Sequence, residues 1–513
     1  MRSVSFTLTV TVALAAITLG GGPRLQAAEQ AKRPNFLFII FDDWGWNHSG
    51  AYGCTWVKTP HFDRIAREGI LFKHCFTSNP KCSPCRASIL TGRNTWQLKE
   101  ASCHFGLFPS GFAVYPDLLE QAGYTIGLTG KGWGPGDFKT AAGFQRNPAG
   151  PSFDQLKQKV PASGIDRNDY AGNFAAFLKQ RPSGRPFCFW MGFQEPHRPY
   201  ERGSGVRLGK RPADVKVPAY LPDVAAVRSD LLDYAVEVEW GDRHIGRALK
   251  LLEDVGELDR TLIVVTSDHG MPFPYVKGQI FEDGFHLPLA VRWGEAVKPG
   301  RVVEDFINVR DLAPTYLELA GLKPPAQMTG RSFADLLGSK KSGWMDPARK
   351  VMLVGKERHD IGRPNDLGYP VRAIRTPEFL YVHNYFPERW PACNPETDLG
   401  NCDPGPTKEA IKFLNGHYYE LCFGKRPADM LYRLADDPEC LRNLAQDPTH
   451  AQVMAELRER MFRMLCEEQD PRALGKGEIF DTYKYVGSRD KGYETWLKSQ
   501  EARLSEALKD PQK

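Results

Sequence analysis

The sequence predicts an α/β fold, with a mostly parallel central sheet flanked by helices and a smaller C-terminal antiparallel sheet-plus-helix domain. Three observations predict it. Apolar runs at Asn35–Phe41, Phe187–Gly192 and Thr261–Thr266 have strand length and no polar face, as strands buried on both sides do. Helical patterns lie between them, most clearly over Ser229–Gly256, where Leu231, Tyr234, Val238, Ile245, Leu249 and Leu252 keep one face apolar. From about residue 350 the texture changes to short strands joined by turns.

Taken in order, the strand Asn35–Phe41 ends at Asp42-Asp43. Helices are expected over Asp63–Glu68 and Tyr115–Ala122, the second leading into a strand, Thr125–Thr129, and a glycine-rich turn around Lys131. The run Phe187–Gly192 ends near Glu195-Pro196-His197, and Thr261–Thr266 ends at Ser267-Asp268-His269-Gly270. Ligands of parallel sheets bind beyond the carboxyl ends of the strands. Each polar cluster sits at such an end, so a single shared site is expected. Val351–Val354, Val371–Ile374 and Phe379–Val382 read as strands, His450–Glu467 as a helix, and the Lys/Glu-rich tail after Lys491 as a solvated helix. The expected division is a main domain over 33–349, a smaller one over 350–490 and a tail over 491–513.

Residues 1–27 read as a secretory signal: Arg2, an apolar stretch from Val4 to Leu19, then small residues around Ala27. The stretch is short for a membrane span, and no integral membrane segment is expected after its removal. Cleavage there lowers the formal charge from +5 to +3, because Arg2 and Arg24 leave and no acid does. That balance gives no argument for nucleic acid. Eleven cysteines in an exported chain permit disulfides. Cys393 and Cys402 flank a turn-rich loop, placed either to bridge or to stand as free thiols. The sequon Asn47-His48-Ser49 lies beside the acidic pair, which leans toward a periplasmic or secreted protein; a lysosomal one would require a eukaryotic source.

The most informative segment is Cys82-Ser83-Pro84-Cys85-Arg86-Ala87-Ser88-Ile89-Leu90-Thr91-Gly92-Arg93. A Cys-Pro-Cys stretch alone would suit a redox pair, a metal corner or a disulfide. Asp42-Asp43 are costly side by side unless a cation lies between them, and Asp268-His269 form a second ligand-type pair at another strand end. Lys131 in Gly130-Lys131-Gly132, His197 in Glu195-Pro196-His197-Arg198 and Lys277 in Lys277-Gly278-Gln279 complete a polar set.

The order Cys-x-Pro-x-Arg followed by Leu-Thr-Gly resembles the signature of the formylglycine-dependent sulfatases, of the alkaline-phosphatase-like superfamily, and the resemblance extends over about residues 34–470. It implies a nucleophile made from Cys82 by a maturation enzyme, which oxidises the thiol to formylglycine. It implies one divalent ion, generally calcium, on Asp42, Asp43, Asp268 and His269, in contact with residue 82. Arg86, Lys131 and Lys277 would neutralise the sulfate, and His197 would protonate the leaving group. Trp133 stands where the family carries a histidine, and His104 is the candidate to replace it.

Gly192-Phe193-Gln194-Glu195-Pro196-His197-Arg198, Gly270-Met271-Pro272-Phe273-Pro274 and Tyr369-Pro370-Val371-Arg372 look most like the heparan N-sulfatases. Those enzymes hydrolyse the N-sulfate of glucosamine and are commonly homodimers; Lys277 stands where they carry arginine. The resemblance thus implies a sulfated carbohydrate substrate, with His104, Glu357, Arg358, His359, Asp360 and Arg363 as candidate sugar contacts. The alternatives are an O-sulfatase on a sulfated polysaccharide or small ester, a phosphoester or phosphonate hydrolase, and an inactive glycan-binding protein.

Overall fold

The computed structural model describes residues 33–139, 145–490 and 492–509; the expected signal over residues 1–27 lies outside them. The first strand, β1 (Asn35–Phe41), is buried along its whole length. Its side chains alternate between two cores. Leu37, Ile39 and Phe41 enter one, and Phe36, Phe38 and Ile40 the other, as the period of two requires. This is why the run carries no polar face.

Further strands follow: β2 (Ile70–Phe72), β3 (Cys75–Phe76), β4 (Thr125–Gly130), β5 (Phe187–Gly192), β6 (Thr261–Ser267), β7 (His286–Leu287), β8 (Leu289–Arg292), β9 (Arg301–Val303) and β10 (Ile307–Asn308). Seven of them form the central sheet in the order β4-β5-β1-β6-β8-β2-β9. The strands β4, β5, β1 and β6 are mutually parallel. β8 runs antiparallel to β6 and to β2, and β9 is again parallel to β2. The antiparallel strand has a local cause. The chain leaves β6 at the carboxyl edge and re-enters through β7 without a long crossover helix, so it must return in the opposite sense.

Helices cover both faces. α1 (Pro60–Glu68), α4 (Tyr170–Gln180) and α5 (Ala225–Asp254) pack on one side. The other carries α2 (Cys82–Thr91), α3 (Tyr115–Gln121) and α6 (Leu312–Leu319). No helix among the described residues is long and apolar enough to cross a membrane.

The C-terminal part is a four-stranded antiparallel meander, β11 (Met352–Lys356), β12 (Val371–Arg375), β13 (Phe379–Asn384) and β14 (Asp429–Arg433). α7 (Ala451–Glu467) packs on one face of it through Leu457, Met461 and Leu465. The opposite face shares a core with the main sheet's helices through Val354, Val371 and Ala373. The tail forms α8 (Tyr493–Lys509), whose Glu494 accepts a hydrogen bond from the Asn365 amide at 3.0 Å. Cys393 and Cys402 do not bridge. Their thiols turn to different backbone carbonyls, those of Asp360 and Asp403.

Candidate active site

Register places the site. Ile40 pairs with both Gly192 and Thr266, and Gly130 pairs with Gly192. The chain segments after β1, β4, β5 and β6 therefore leave the sheet side by side. They carry Asp42-Asp43, Lys131, the Glu195–Arg198 loop and Asp268-His269 to one edge. Gly130 makes the turn possible: its φ is +73°, and a Cβ there would lie 2.1 Å from the Gly192 carbonyl oxygen. That close approach lets the Lys131 amide donate to the same oxygen at 2.8 Å.

Cys82 is the first residue of α2, so the positive end of the helix faces the site. Arg86 lies one turn on, fully buried, with Nε donating to Asp268 at 2.8 Å and Nη1 to the carbonyls of Lys131 and Gly132 at 2.7 and 3.1 Å. It thereby ties the end of β6, the β4 turn and α2 into one body. Trp133, at the position of the family histidine, is buried and donates from Nε1 to the Ser83 carbonyl at 3.0 Å. It acts as a brace for the first turn of α2.

His269 donates from Nδ1 to the Gly270 carbonyl (3.1 Å), since that oxygen can only accept. Its Nε2 is thereby turned to the centre, 3.3 Å from Cys82 Sγ and 2.9 Å from an Asp43 oxygen. Ligand atoms of Asp42, Cys82, Asp268 and His269 all lie within 4.8 Å of one another, and so do those of Asp43, His197 and Asp403. Asp42 Oδ1 is buried without a hydrogen-bond partner, and Arg86 Nη2 stands 3.7 Å from it. The carboxylates of Asp42 and Asp268, one Asp42 oxygen being without a partner, and the His269 imidazole with Nε2 turned inward are a donor set that fits a divalent cation, with Asp43 adjoining it 2.9 Å from that nitrogen.

Burial opposes charge on every one of these groups, and the neighbours decide the outcome. Lys131 holds Asp42 well below the carboxylate range. Burial would raise Asp403, yet Lys277, 2.7 Å away, keeps it at about 2. Lys277 itself is pushed well above the usual lysine value despite its burial, because Asp403 and Asp43 flank it, the latter at 2.6 Å. Both lysines are therefore fixed cations.

His197 is half-buried, and its Nδ1 donates to the Arg198 carbonyl at 2.6 Å, leaving Nε2 for exchange of a proton. The loop is held by a buried bidentate pair, Arg198 to Asp230 at 2.9 and 2.7 Å, with Tyr200 and Phe273 on the guanidinium faces.

The structure thus brings together Asp42, Asp43, Cys82, Arg86, Lys131, His197, Asp268, His269 and Lys277. Each of the expected sugar contacts also has partners within the protein, while His104 Nε2 and His359 Nδ1 are buried without one. His104 Nδ1 meets Asp360 at 3.0 Å, and Asp360 meets Lys81, the residue preceding Cys82, at 2.9 Å. Burial drives the His104 imidazole down to about 4. His359 Nε2 faces Asn79 Oδ1 at 2.7 Å. Arg363 donates to the carbonyls of Trp390, Pro391 and Leu367. Glu357 is held by Arg372 and Arg472, and Arg358 stacks over Tyr485. Asp403 was not legible: in Cys402-Asp403-Pro404-Gly405 it reads as a turn residue.

The family model described as "Sulfatase" matches residues 34–322. Human N-sulphoglucosamine sulphohydrolase is 29% identical over 486 residues, covering 86% of this chain and 92% of that protein. An N-acetylglucosamine-6-O-sulfatase of Bacteroides thetaiotaomicron is 26% identical over 471 residues, covering 74% of this chain and 83% of its own length. A solved structure described as BT4656 in complex with its substrate, D-glucosamine-2-N,6-O-disulfate, superposes with a TM-score of 0.59 at 21% identity, over 85% of this chain and 98% of that one. With the matched segment carrying β1, the Cys82 helix and the Asp268-His269 strand end alike, the chain belongs to the sulfatase family and is a hydrolase of sulfate esters or sulfamates.

Proposed function

We propose that the protein is an exported sulfamidase that releases sulfate from N-sulfoglucosamine in a sulfated glycan, using formylglycine made from Cys82. The observation that carries the reading is the enclosure of residue 82 by fixed cations, Arg86, Lys131 and Lys277, with His197 at the rim. The similarity to the human N-sulphoglucosamine sulphohydrolase, which runs over nearly the full length of both chains, supports the choice of the N-sulfate.

Hydrated formylglycine supplies an oxygen nucleophile at position 82, and a divalent cation on Asp42, Asp43, Asp268 and His269, calcium by the excess of oxygen donors, supplies positive charge beside it. Lys131 and Lys277 neutralise the sulfate oxygens, so that an anionic group can enter and its charge can redistribute as the bond to sulfur breaks. Arg86 keeps Asp268 aligned and adds its own charge. An amine leaves sulfur readily only when its nitrogen takes up a proton. Protonated His197 donates that proton from Nε2 while Nδ1 stays on the Arg198 carbonyl, and the ring ends neutral.

The test measures release of sulfate from N-sulfoglucosamine and from N-acetylglucosamine-6-sulfate, and release of phosphate from p-nitrophenyl phosphate. The proposal expects kcat/KM for the N-sulfate to exceed that for the 6-O-sulfate by at least about a hundredfold, a gap of roughly 3 kcal/mol. The second reading, an O-sulfatase, is favoured by the similarity to the 6-O-sulfatase. Equal rates on both sugars, or no turnover of the N-sulfate, would select it; phosphate release would point to a phosphohydrolase.

A further inference from the structure

A second cleft, of about 400 Å³, lies between the Thr55–Lys58 loop, the Leu208–Asp214 loop and α5, and none of its lining residues belongs to the active site. Two tryptophans, Trp56 and Trp240, line it, and Leu208, 44% exposed, stands at its rim. Such walls suit the apolar C–H face of a pyranose ring. Four cations and two acids also line it. Lys210 is paired with Glu239, and Arg211 with Asp214. Lys58 and Arg243 form no ion pair with any described residue, and both are exposed. The Arg243 guanidinium stands 5.2 Å from the centre of the Trp240 ring. Trp240 is 94% buried, and its Nε1–H has no hydrogen-bond partner among the described residues, a donor that a ligand oxygen would satisfy.

We propose that this cleft is a second glycan site, holding a sulfated saccharide segment away from the centre that cleaves sulfate. Unpaired cations at the mouth attract anionic sulfates, aromatic walls take the ring, and the indole N–H takes an acceptor oxygen. The idea rests on the sulfated-glycan reading above. It adds a reason for the enzyme to bind a long chain more tightly than its terminal sugar, because a second anchor raises the local concentration of the first.

The experiment compares a heparin-derived hexasaccharide with N-sulfoglucosamine. Binding of the hexasaccharide is measured by calorimetry at low salt in a Cys82→Ala background, with and without Lys58→Gln and Arg243→Gln, changes that keep side-chain bulk on Trp240. Affinity for the hexasaccharide should fall at least tenfold, and the loss should shrink as salt is raised. With Cys82 intact, the same pair of substitutions should leave KM for N-sulfoglucosamine within twofold and the unfolding temperature unchanged. Unchanged hexasaccharide affinity would overturn the proposal. So would equally tight binding of the fully desulfated hexasaccharide, or of a single-stranded oligonucleotide of similar charge. If N-sulfoglucosamine is not turned over, the sulfamidase reading fails, while the hexasaccharide comparison still decides the cleft.

Discussion

Lys277 sits between Asp43 and Asp403, and this small arrangement shows how each residue of the site depends on its neighbours. Removing the distal acid, Asp403→Asn, leaves the lysine drawn to Asp43 alone. The expected effect is a fall in kcat/KM of about tenfold with folding intact, the loss of one charge-assisted contact; steady-state kinetics checks it. His197→Ala should lower kcat on the N-sulfate at least about a hundredfold, the usual contribution of a general acid. A sulfate ester with a good leaving group should lose much less, since it needs no proton. A chelator should abolish activity, and added calcium should restore it. Two kinds of residue were readable in advance: those next to a strand end, which register carries to the site, and Cys82, Arg86 and Lys277, which the motif resemblance singled out. Asp403 is brought to Lys277 by packing across 126 residues of chain, which no local pattern records. His104 and His359 each turn one ring nitrogen to an interior partner, Asp360 and Asn79, while His104 Nε2 and His359 Nδ1 are buried without a hydrogen-bond partner, and Arg363 donates to backbone carbonyls.

Elements were legible in proportion to their regularity. β1 and β5 fall where the apolar runs lie, and α5 extends the expected helix only at its start, to Ala225. The two- to four-residue strands β2, β3 and β7 to β10 were not legible, since a run that short carries no period. One helix end offers a pH test. Asp242 on α5 accepts the amides of His61 and Phe62, at 3.1 and 2.8 Å, at the start of α1. Burial raises its carboxyl from 3.8 to about 7, against the pull of those amides. The folded form therefore favours the proton. The associated stability is complete below about pH 4 and is lost as pH rises through about 7, on the order of a few kcal/mol. Asp242→Asn, which cannot titrate, should be less stable than wild type near pH 4.5 by about 1 kcal/mol, through one weakened cap bond. Near pH 8 it should equal or exceed wild type. Parallel thermal unfolding curves at the two pH values, showing no crossing, would refute this.

At the scale of the whole molecule, the C-terminal meander is locked to the loop after α7 by a buried charge network. Arg372 on β12 donates to Asp470 and Glu357, and Arg472 donates to Glu357. Arg372→Met would leave Asp470 buried without its cation, a change expected to cost about 3–5 kcal/mol. A double change with Asp470→Leu should recover much of that, measured as the midpoint of thermal unfolding. This sheet shares its core with the catalytic layer and carries the loop that supplies Asp403, so the loss should reduce activity as well. The change of texture near residue 350 announced a second sheet. That its connecting loop brings Asp403 onto Lys277 was visible only in three dimensions.

All of these readings depend on what residue 82 is in the mature protein. The most direct measurement is tandem mass spectrometry of the tryptic peptide Cys82–Arg86 from protein isolated from its native source. The account predicts a residue that has lost sulfur and two hydrogens and gained an oxygen, and that reacts with an aldehyde-specific hydrazide. An unmodified thiol in protein that still releases sulfate would contradict it.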